Sequence, residues 1–293
     1  MVVEKSTEKN VLAAHYLEGN RFHVRAVRRL SQSEADAVRA NLDAIFAFDK
    51  HRQLFGLVKE NQNDLYNLMK ENLSKMPHGF MQPDTSISNS SYIQLSKGVL
   101  NLLGSLKVYL EFSEAYLKRK YGSDSSEFKI FKKSQNDRFD ESFSYRFCYK
   151  LRNYTQHCGL PVGEVVTKTA HWSSTDRTTT MTIMLSRSEL LESFDWGRHV
   201  VSGLEQLPEN FDVMPHLIEF SSHVKSLSDE LVELDFPSVK TSFEKLTSMV
   251  QEVFSQHPDS KPVIYRLYTK GQSLGDLFWF PTGLFSELER YNK

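Results

Sequence analysis

The chain has 293 residues, of which 25% are charged and 40% hydrophobic, and its formal net charge is −1. This length suits one large domain or two ordinary ones, and the 20 Phe and 12 Tyr supply enough core material to exclude wholesale disorder. No apolar run approaches the roughly 20 residues that span a bilayer, and residues 1–10 lack the apolar core of a signal peptide. We therefore expect a cytoplasmic protein without membrane contact. Near-neutrality also excludes a uniformly basic nucleic-acid coat protein.

Motifs for the commonest enzyme classes are missing from the sequence. The two cysteines, Cys148 and Cys158, are too few for a disulfide framework or a four-cysteine zinc site. On one helix their ten-residue separation would place them about 15 Å apart, too far for a disulfide. The chain has no P-loop, dinucleotide-binding glycine motif, H-E-x-x-H, C-x-x-C, nucleophile elbow or kinase signature. We expect no cofactor and no metal.

The N-terminal segment, residues 1–80, predicts one strand and then helix. Residues 22–30 partly alternate apolar and polar side chains, which indicates a short strand. Ser31-Gln32-Ser33-Glu34 then fits a capping box, in which serine and glutamate side chains satisfy free amides at a helix start. Apolar residues follow at helical spacing toward a break at Pro77, because proline lacks an amide and clashes with the preceding turn.

Residues 85–162 predict a helical core. Polar residues at 79–91 indicate a connector, and the leucines and valines beyond it recur every three or four residues, as in a long helix. Three basic residues followed by Gly122 are typical of a helix end. A further helical stretch runs to Cys158, where a glycine and Pro161 stop it.

Small β elements are expected after Pro161. Runs rich in Thr, Val and Ile at 165–172 and 178–185 indicate a β-hairpin. Ser186-Arg187-Ser188-Glu189 is a second capping-box pattern and predicts a short helix. We assign residues 163–200 to this hairpin insertion and helix.

The last segment, residues 201–293, predicts acidic helices and an aromatic tail. Residues 212–256 have a helical pattern that is broken near Pro237. A strand-like run at 263–268 and the aromatic run Phe278-Trp279-Phe280 follow, and we interpret the aromatic run as core or dimer-interface material. The predicted fold class is therefore mainly α, with a small β-hairpin and minor β elements.

Charge is divided unevenly along the chain. Residues 115–155 contain ten Lys or Arg and five Asp or Glu, a net charge of +5. Residues 201–260 contain three Lys or Arg and eleven Asp or Glu, a net charge of −8. One interpretation is intramolecular, with the acidic helices packed near the basic ones or with both faces solvated. The other is that the basic stretch binds an anion such as a nucleic-acid backbone.

The basic stretch ends on the string R-N-x-x-x-H, residues 152–157, at the end of a predicted helix. Asn153 and His157 are four residues apart and therefore share a helix face. Arg152 and His157 are five apart, about 140° around an ideal helix. They can converge on one ligand if the last turn is irregular, or if two copies of the helix meet across a two-fold axis.

These residue types suit phosphodiester chemistry. Arg152 offers a fork of donors that matches phosphate oxygens, and His157 supplies an imidazole that can move a proton. Asn153 can orient either of them. RNA cleavage needs no metal if a base activates the ribose 2′-OH and a cation stabilises the phosphorane. Lys150 and Arg146 add positive charge nearby and are the candidate substrate-binding residues.

The R-N-x-x-x-H string in a helical context resembles the signature of the HEPN superfamily (higher eukaryotes and prokaryotes nucleotide-binding). The resemblance covers residues 85–162, with helices from 212–256 completing the bundle. It implies an antiparallel helical bundle that dimerises through its motif helices. Carried over by position, Arg152 and His157 would be the catalytic pair and Asn153 the supporting polar residue.

The resemblance implies a metal-independent endoribonuclease that cleaves RNA at a homodimer interface, in the manner of a toxin or antiviral-defence effector. An antitoxin or regulatory protein would be a further partner. The alternative within the superfamily is an inactive protein that binds nucleotide or RNA, or regulates another chain. A third interpretation is an unrelated helical scaffold, in which Arg152 pairs with a carboxylate and His157 caps its own helix. His216 and His223 are expected on a helix surface rather than in a metal site.

Overall fold

The computed structural model describes residues 9–74, 85–170, 178–267 and 277–292. Over these residues the protein is mainly helical, with two small antiparallel sheets. The helices are α1 (Gln32–Ser74), α2 (Thr85–Tyr121), α3 (Ser126–Glu141), α4 (Phe143–His157), α5 (Arg187–Ser193), α6 (Arg198–Leu204), α7 (Met214–Asp235), α8 (Lys240–Gln256) and α9 (Thr282–Leu288). The strands are β1 (Lys9–Glu18), β2 (Arg21–Leu30), β3 (Glu164–Ala170), β4 (Thr178–Ser186), β5 (Asn210–Asp212), β6 (Lys261–Leu267) and β7 (Leu277–Trp279).

The chain forms two compact units. Residues 1–50 and 233–293 make the first unit, and residues 51–232 make the second. The four segments drawn from the sequence are consecutive, whereas the first unit combines both ends of the chain. Across the described residues, no helix has the length and hydrophobicity needed to cross a membrane.

The first unit contains a four-stranded antiparallel sheet in the order β2-β1-β6-β7. The strand predicted over 22–30 is confirmed as β2, and the run at 263–267 belongs to β6, while its predicted end at 268 lies outside the described residues. Strand β1 was not predicted. Its residues 11–14 are all buried, so the sequence there lacks the alternation that identifies a half-buried strand.

The predicted capping box at the start of α1 is confirmed. The Glu34 amide donates to Ser31 Oγ at 3.2 Å, and the Ser31 amide donates to Glu34 Oε2 at 2.7 Å. Arg28 on β2 adds ion pairs to Glu34 at 3.0 Å and to Glu252 on α8 at 2.9 Å. The cap therefore also ties the sheet to the helices of its own unit.

The second unit is built on α2, α3 and α4, which contact one another. The predicted long helix is confirmed as α2, and Gly122, with φ of 93°, follows its end. The predicted connector over 79–91 is wrong where it overlaps α2, and its residues 79–84 lie outside the described part. Tertiary contacts override the low helix propensity there: Ser91 Oγ donates to Asn72 Oδ1, and Tyr92 Oη donates to the carbonyl of Val162 at 2.7 Å.

A serine divides the helical stretch that was predicted to run unbroken to Cys158. Ser142 has extended backbone angles; its Oγ accepts from the Tyr145 amide at 3.1 Å, and its own amide donates to the carbonyl of Arg138 at 3.0 Å. It thus ends α3 and caps α4, as serine does well. The Arg146 guanidinium holds the same corner by donating to the carbonyls of Phe139 and Asp140.

The β-hairpin predicted after Pro161 is confirmed as β3 and β4, whose connection at 171–177 lies outside the described residues. The three-residue strand β5, which was not predicted, extends this sheet beside β4. The Glu189 amide donates to Ser186 Oγ at 3.3 Å, so the second predicted cap is also present. The predicted break near Pro237 is confirmed, because a 3₁₀ turn at Phe236–Ser238 separates α7 from α8.

Two helical glycines provide a matched test of packing in the second unit. A Cβ added at Gly203 would lie 2.1 Å from the ring of Phe143, whereas one added at Gly104 meets nothing within 4 Å. We expect Gly203→Ala to lower the free energy of unfolding by about 1–3 kcal/mol through overpacking. Gly104→Ala should instead be neutral or stabilise by up to about 1 kcal/mol. Urea unfolding of both variants measures this, and equal effects would contradict the packing of α6 on α4.

Candidate functional site

Helix α4 has one buried and one accessible side. Its buried apolar residues follow helical spacing, and Phe147 and Tyr154 both stack on the buried ring of Trp196, at 5.5 and 5.6 Å between ring centroids. Trp196 is itself fixed by a hydrogen bond from Nε1 to the carbonyl of Leu190 at 2.6 Å. The polar residues at the end of α4 lie on its more accessible side as a consequence.

The three motif residues occupy the last two turns of α4. The half-exposed Arg152 donates from Nη1 to Oε1 of Gln156, one turn further on. Asn153 Oδ1 accepts from Lys107 Nζ at 3.0 Å, and His157 is exposed in the final turn. Arg152 therefore has a neutral amide as its partner rather than a carboxylate, and no hydrogen bond joins Arg152 to His157 among the described contacts.

Lys107 on α2 is a residue that the sequence analysis missed. Its side chain is only 11% exposed, and its Nζ lies 4.5 Å from the centre of the Tyr149 ring and 3.8 Å from Oε1 of Glu111. Together with its bond to Asn153, these contacts fix the ammonium group against α4. The sequence signal was weak, since Lys107 is one lysine within an otherwise apolar helical stripe.

Positive charge accumulates around this lysine. Burial lowers the pKa of Lys107; Glu111 opposes that effect, while the positive charges of Arg152 and Lys150 add to it. Three cationic side chains thus lie close enough to repel one another. A bound anion would relieve that repulsion, and phosphate oxygens match the arginine fork.

Arg146, the other candidate for substrate binding, makes its hydrogen bonds at a different place from this group of cations. Its Nη1 donates to the carbonyls of Phe139 and Asp140, at 2.7 and 2.6 Å, at the end of α3. These bonds stabilise the α3–α4 corner. Substrate binding by Arg146 stays a prediction.

A second polar cluster, also missed in the sequence analysis, joins the start of α4 to α7. Glu219 accepts from Ser142 Oγ at 2.6 Å and from Ser144 Oγ at 2.8 Å, and His223 Nε2 lies 3.6 Å from the same carboxylate. Ser144 Oγ is also 2.8 Å from Nδ1 of His216. The H-x-x-E spacing places His216 and Glu219 on one side of α7 and was the available signal, whereas Ser142 belongs to the cluster as the cap of α4.

The hydrogen bonds of Ser144 fix the tautomer of His216. A hydroxyl has one proton, and Ser144 gives it to Glu219, so Nδ1 of His216 must be the donor toward Ser144 Oγ. His216 therefore cannot act as a base toward this buried serine. The cluster holds two helices together and is not arranged as a nucleophile with its base.

Burial and charge shape the ionisation of this cluster. Burial lowers the pKa of His216 against the opposing effect of Glu219 and Asp212. Burial would raise the pKa of Glu219, but bonds from the two serines and nearby His223 lower it overall. The pKa of the buried Cys148 thiol is raised by burial and by the charge of Glu219. The expected surface position of the two histidines is corrected accordingly, since both are partly buried in this helix contact.

An ion pair joins the acidic stretch, residues 201–260, to the basic stretch, residues 115–155. Glu230 on α7 pairs with Arg138 on α3 and also accepts from Ser134. Within the described contacts, Arg152 and Lys150 have no carboxylate partner on α7. The acidic helix α7 therefore neutralises charge on α3 and not at the end of α4, where Glu111 is the one carboxylate among the described contacts of this group.

Compared with protein-family models, curated proteins and solved structures, the chain has no match in any of the three. In the described ranges, no group of three or more His, Cys, Asp or Glu side chains is placed to hold a metal ion.

The lowered pKa of His216 predicts how the stability of the protein depends on pH. The unfolded imidazole, with an ordinary pKa near 6.5, binds a proton more readily than the folded one, so the free energy of unfolding should fall as the pH drops below about 6.5. His216→Gln should lose about 1 kcal/mol at pH 8 with its hydrogen bond and should show less of this fall between pH 8 and pH 5.

Urea midpoints at the two pH values measure the effect. His199→Gln, at an exposed position, is the matched control and should retain the wild-type pH dependence. An unchanged pH dependence in His216→Gln would contradict the assigned role of His216.

Proposed function

We propose that the protein is a metal-independent endoribonuclease of the HEPN type that acts as a homodimer. The helices of the bundle would be α2, α3, α4 and the part of α7 that lies in the second unit. The single observation that carries the proposal is the group of Lys107, Lys150 and Arg152, to which the described contacts give one carboxylate partner, Glu111, near the end of the helix that carries the exposed His157. An anion site next to a free imidazole is the minimum that metal-free cleavage of RNA requires.

Each motif residue has a definite role in this mechanism. His157 of one copy removes the proton from the ribose 2′-OH, whose oxygen attacks the adjacent phosphorus. Arg152 stabilises the charge that develops on the phosphorane oxygens. The leaving 5′-oxygen takes a proton from water, and the products are a 2′,3′-cyclic phosphate and a 5′-hydroxyl.

The contacts of Asn153 are consistent with a supporting role. Lys107 donates to Oδ1 of Asn153, which directs that oxygen toward α2 and leaves the amide hydrogens available to a ligand. Asn153 would therefore donate to a phosphate oxygen beside Arg152. Gln156, which now accepts from Arg152, would be displaced from the guanidinium by the phosphate.

Substitution of the motif tests the proposal. We expect purified protein to cleave RNA in the presence of EDTA, and His157→Ala to lower the rate by about 10²–10⁴-fold with loss of proton transfer. Arg152→Ala should lower it comparably, whereas His199→Ala should not. Gel analysis of a labelled RNA with 2′,3′-cyclic phosphate detection measures this. Undiminished cleavage in both motif variants, or no cleavage by the wild type, would contradict the proposal.

A mixing experiment tests the shared site. If both copies contribute to one site, equimolar Arg152→Ala and His157→Ala proteins should together regain activity that neither has alone. The heterodimer retains one arginine and one histidine in that site. Mixtures that stay inactive while sedimentation shows exchanged dimers would exclude a site assembled between copies.

An inactive RNA-binding or regulatory protein is the second candidate, and one observation favours it. Within one chain, Arg152 is bonded to Gln156 and Asn153 to Lys107, so both motif side chains already have partners. In this case RNA or a protein partner such as an antitoxin would bind without being cleaved. Alkylation of the exposed Cys158, next to His157, reports on such binding because an occupant of this surface slows the reaction. Protection of Cys158 without cleavage would favour the second candidate.

A further inference from the structure

The sheet of the first unit has two different faces. Residues directly opposite each other in an antiparallel ladder share a face. One face carries Leu12 and Arg28 and contacts α8, where Arg28 pairs with Glu252. We call the opposite side, which carries His15, Phe22 and Trp279, the open face of the sheet.

Aromatic rings form a strip across the open face. The His15 ring stacks on Phe22 at 5.0 Å between centroids, with 25° between their planes, and meets the Trp279 ring edge-on at 4.8 Å. The rings come from β1, β2 and β7. Phe22 is 73% exposed and Trp279 is 43% exposed, so their surfaces are accessible to a ligand. Of the aromatic run interpreted as core or dimer-interface material, Phe280 is buried, as a core role requires, and Trp279 is exposed.

Aliphatic side chains enlarge the same surface. Leu17 and Val24 lie opposite Phe22 and His15 in the β1–β2 ladder, and both are exposed. On the same face, Val11, Ala13 and Val263 form a small buried cluster, so the accessible part of the open face is the surface around Phe22, Leu17, Val24 and Trp279. Exposed apolar surface of this kind is typical of a binding site.

The charge of the sheet identifies the class of ligand. The sequences of its four strands contain seven Lys or Arg and one acidic residue, Glu18, of which Arg21, Arg25, Arg28, Arg266 and Glu18 lie on the other face by their register. Arg29 and Lys261 are exposed and lie on the open face, opposite Val11 and His15. The cores of protein–protein interfaces are depleted of charge, whereas accessible rings bordered by cations are typical of surfaces that bind unpaired nucleotides.

We propose that the open face binds single-stranded nucleic acid. Unpaired bases stack on Phe22 and Trp279, and Arg29 and Lys261 contact the phosphates. Bases in a duplex are already stacked on one another, so the site discriminates against double strands. The proposal rests on the sheet alone and is independent of catalysis at α4.

Fluorescence anisotropy with labelled 12-nucleotide oligouridine, oligodeoxythymidine and a duplex of the same length tests the proposal. The measurements use the full chain carrying Arg152→Ala and His157→Ala, so that cleavage does not consume the probe. Binding of either single strand is expected, and comparison of the two shows whether the 2′-OH contributes. Failure of the ribonuclease proposal would leave this binding intact.

Variants of Phe22 separate stacking from general hydrophobicity. Phe22→Leu keeps an apolar side chain but removes the ring, and we expect about tenfold weaker binding, as for the loss of one stacked base. Phe22→Tyr should bind within about twofold of the parent. Phe112→Leu, at another exposed ring, on α2, should have no effect. Circular dichroism verifies that each variant is folded, as the exposure of Phe22 leads us to expect.

The salt dependence provides a second readout. Arg29→Gln and Lys261→Gln should each reduce the slope of log K against log salt by about 0.7, the value for one phosphate contact to a single strand. Equal affinity for the duplex, or unaltered binding by Phe22→Leu, overturns the proposal. A dimer that Phe22→Asp dissociates without affecting RNA affinity would instead identify the open face as a contact between copies of the chain.

Discussion

The burial of one side of α4 is the constraint on which the second unit depends. Phe147 and Tyr154 both lie against Trp196, and the helical repeat leaves the polar residues of the last two turns on the accessible side. The apolar residues that precede Arg152 in α4 are buried, and this burial turns Arg152 and His157 toward the accessible side. The close packing of the buried side of α4 therefore also fixes the positions of the polar residues on its accessible side.

The polar contacts at the two ends of α4 have different consequences. At its start, Ser142 and Ser144 donate to the half-exposed Glu219, and these hydrogen bonds join two helices of the protein. At its end, the positive charges of Lys107 and Arg152 remain without an equal number of carboxylates. The first arrangement stabilises the contact with α7, and the second favours an anionic ligand. This contrast is why the proposed function rests on the end of the helix and not on the serine–histidine contact.

Much of the helical architecture could be predicted from local signals. The capping box at Ser31, the break near Pro237 and the glycine after α2 are each recognised by residue types that satisfy or interrupt backbone hydrogen bonds. Strand β1 could not be predicted in the same way, since burial on both faces removes the alternating pattern. The division at Ser142 was also missed, because a serine within a helical pattern becomes a cap only through the path of the chain around it.

The candidate residues illustrate the same limit. The sequence alone indicated Arg152, Asn153 and His157 and their approximate spacing on a helix, because a 3.6-residue repeat is a local property. It also determined the uneven charge of the chain. Only the tertiary structure decided which charges meet: Glu230 neutralises Arg138, Lys107 reaches Asn153 from a helix 46 residues earlier, and Arg146 is used by the α3–α4 corner. Likewise, Phe22 and Trp279 share one surface only because β1 and β6 lie between their strands, and pairing between distant strands depends on the whole fold rather than on neighbouring residues.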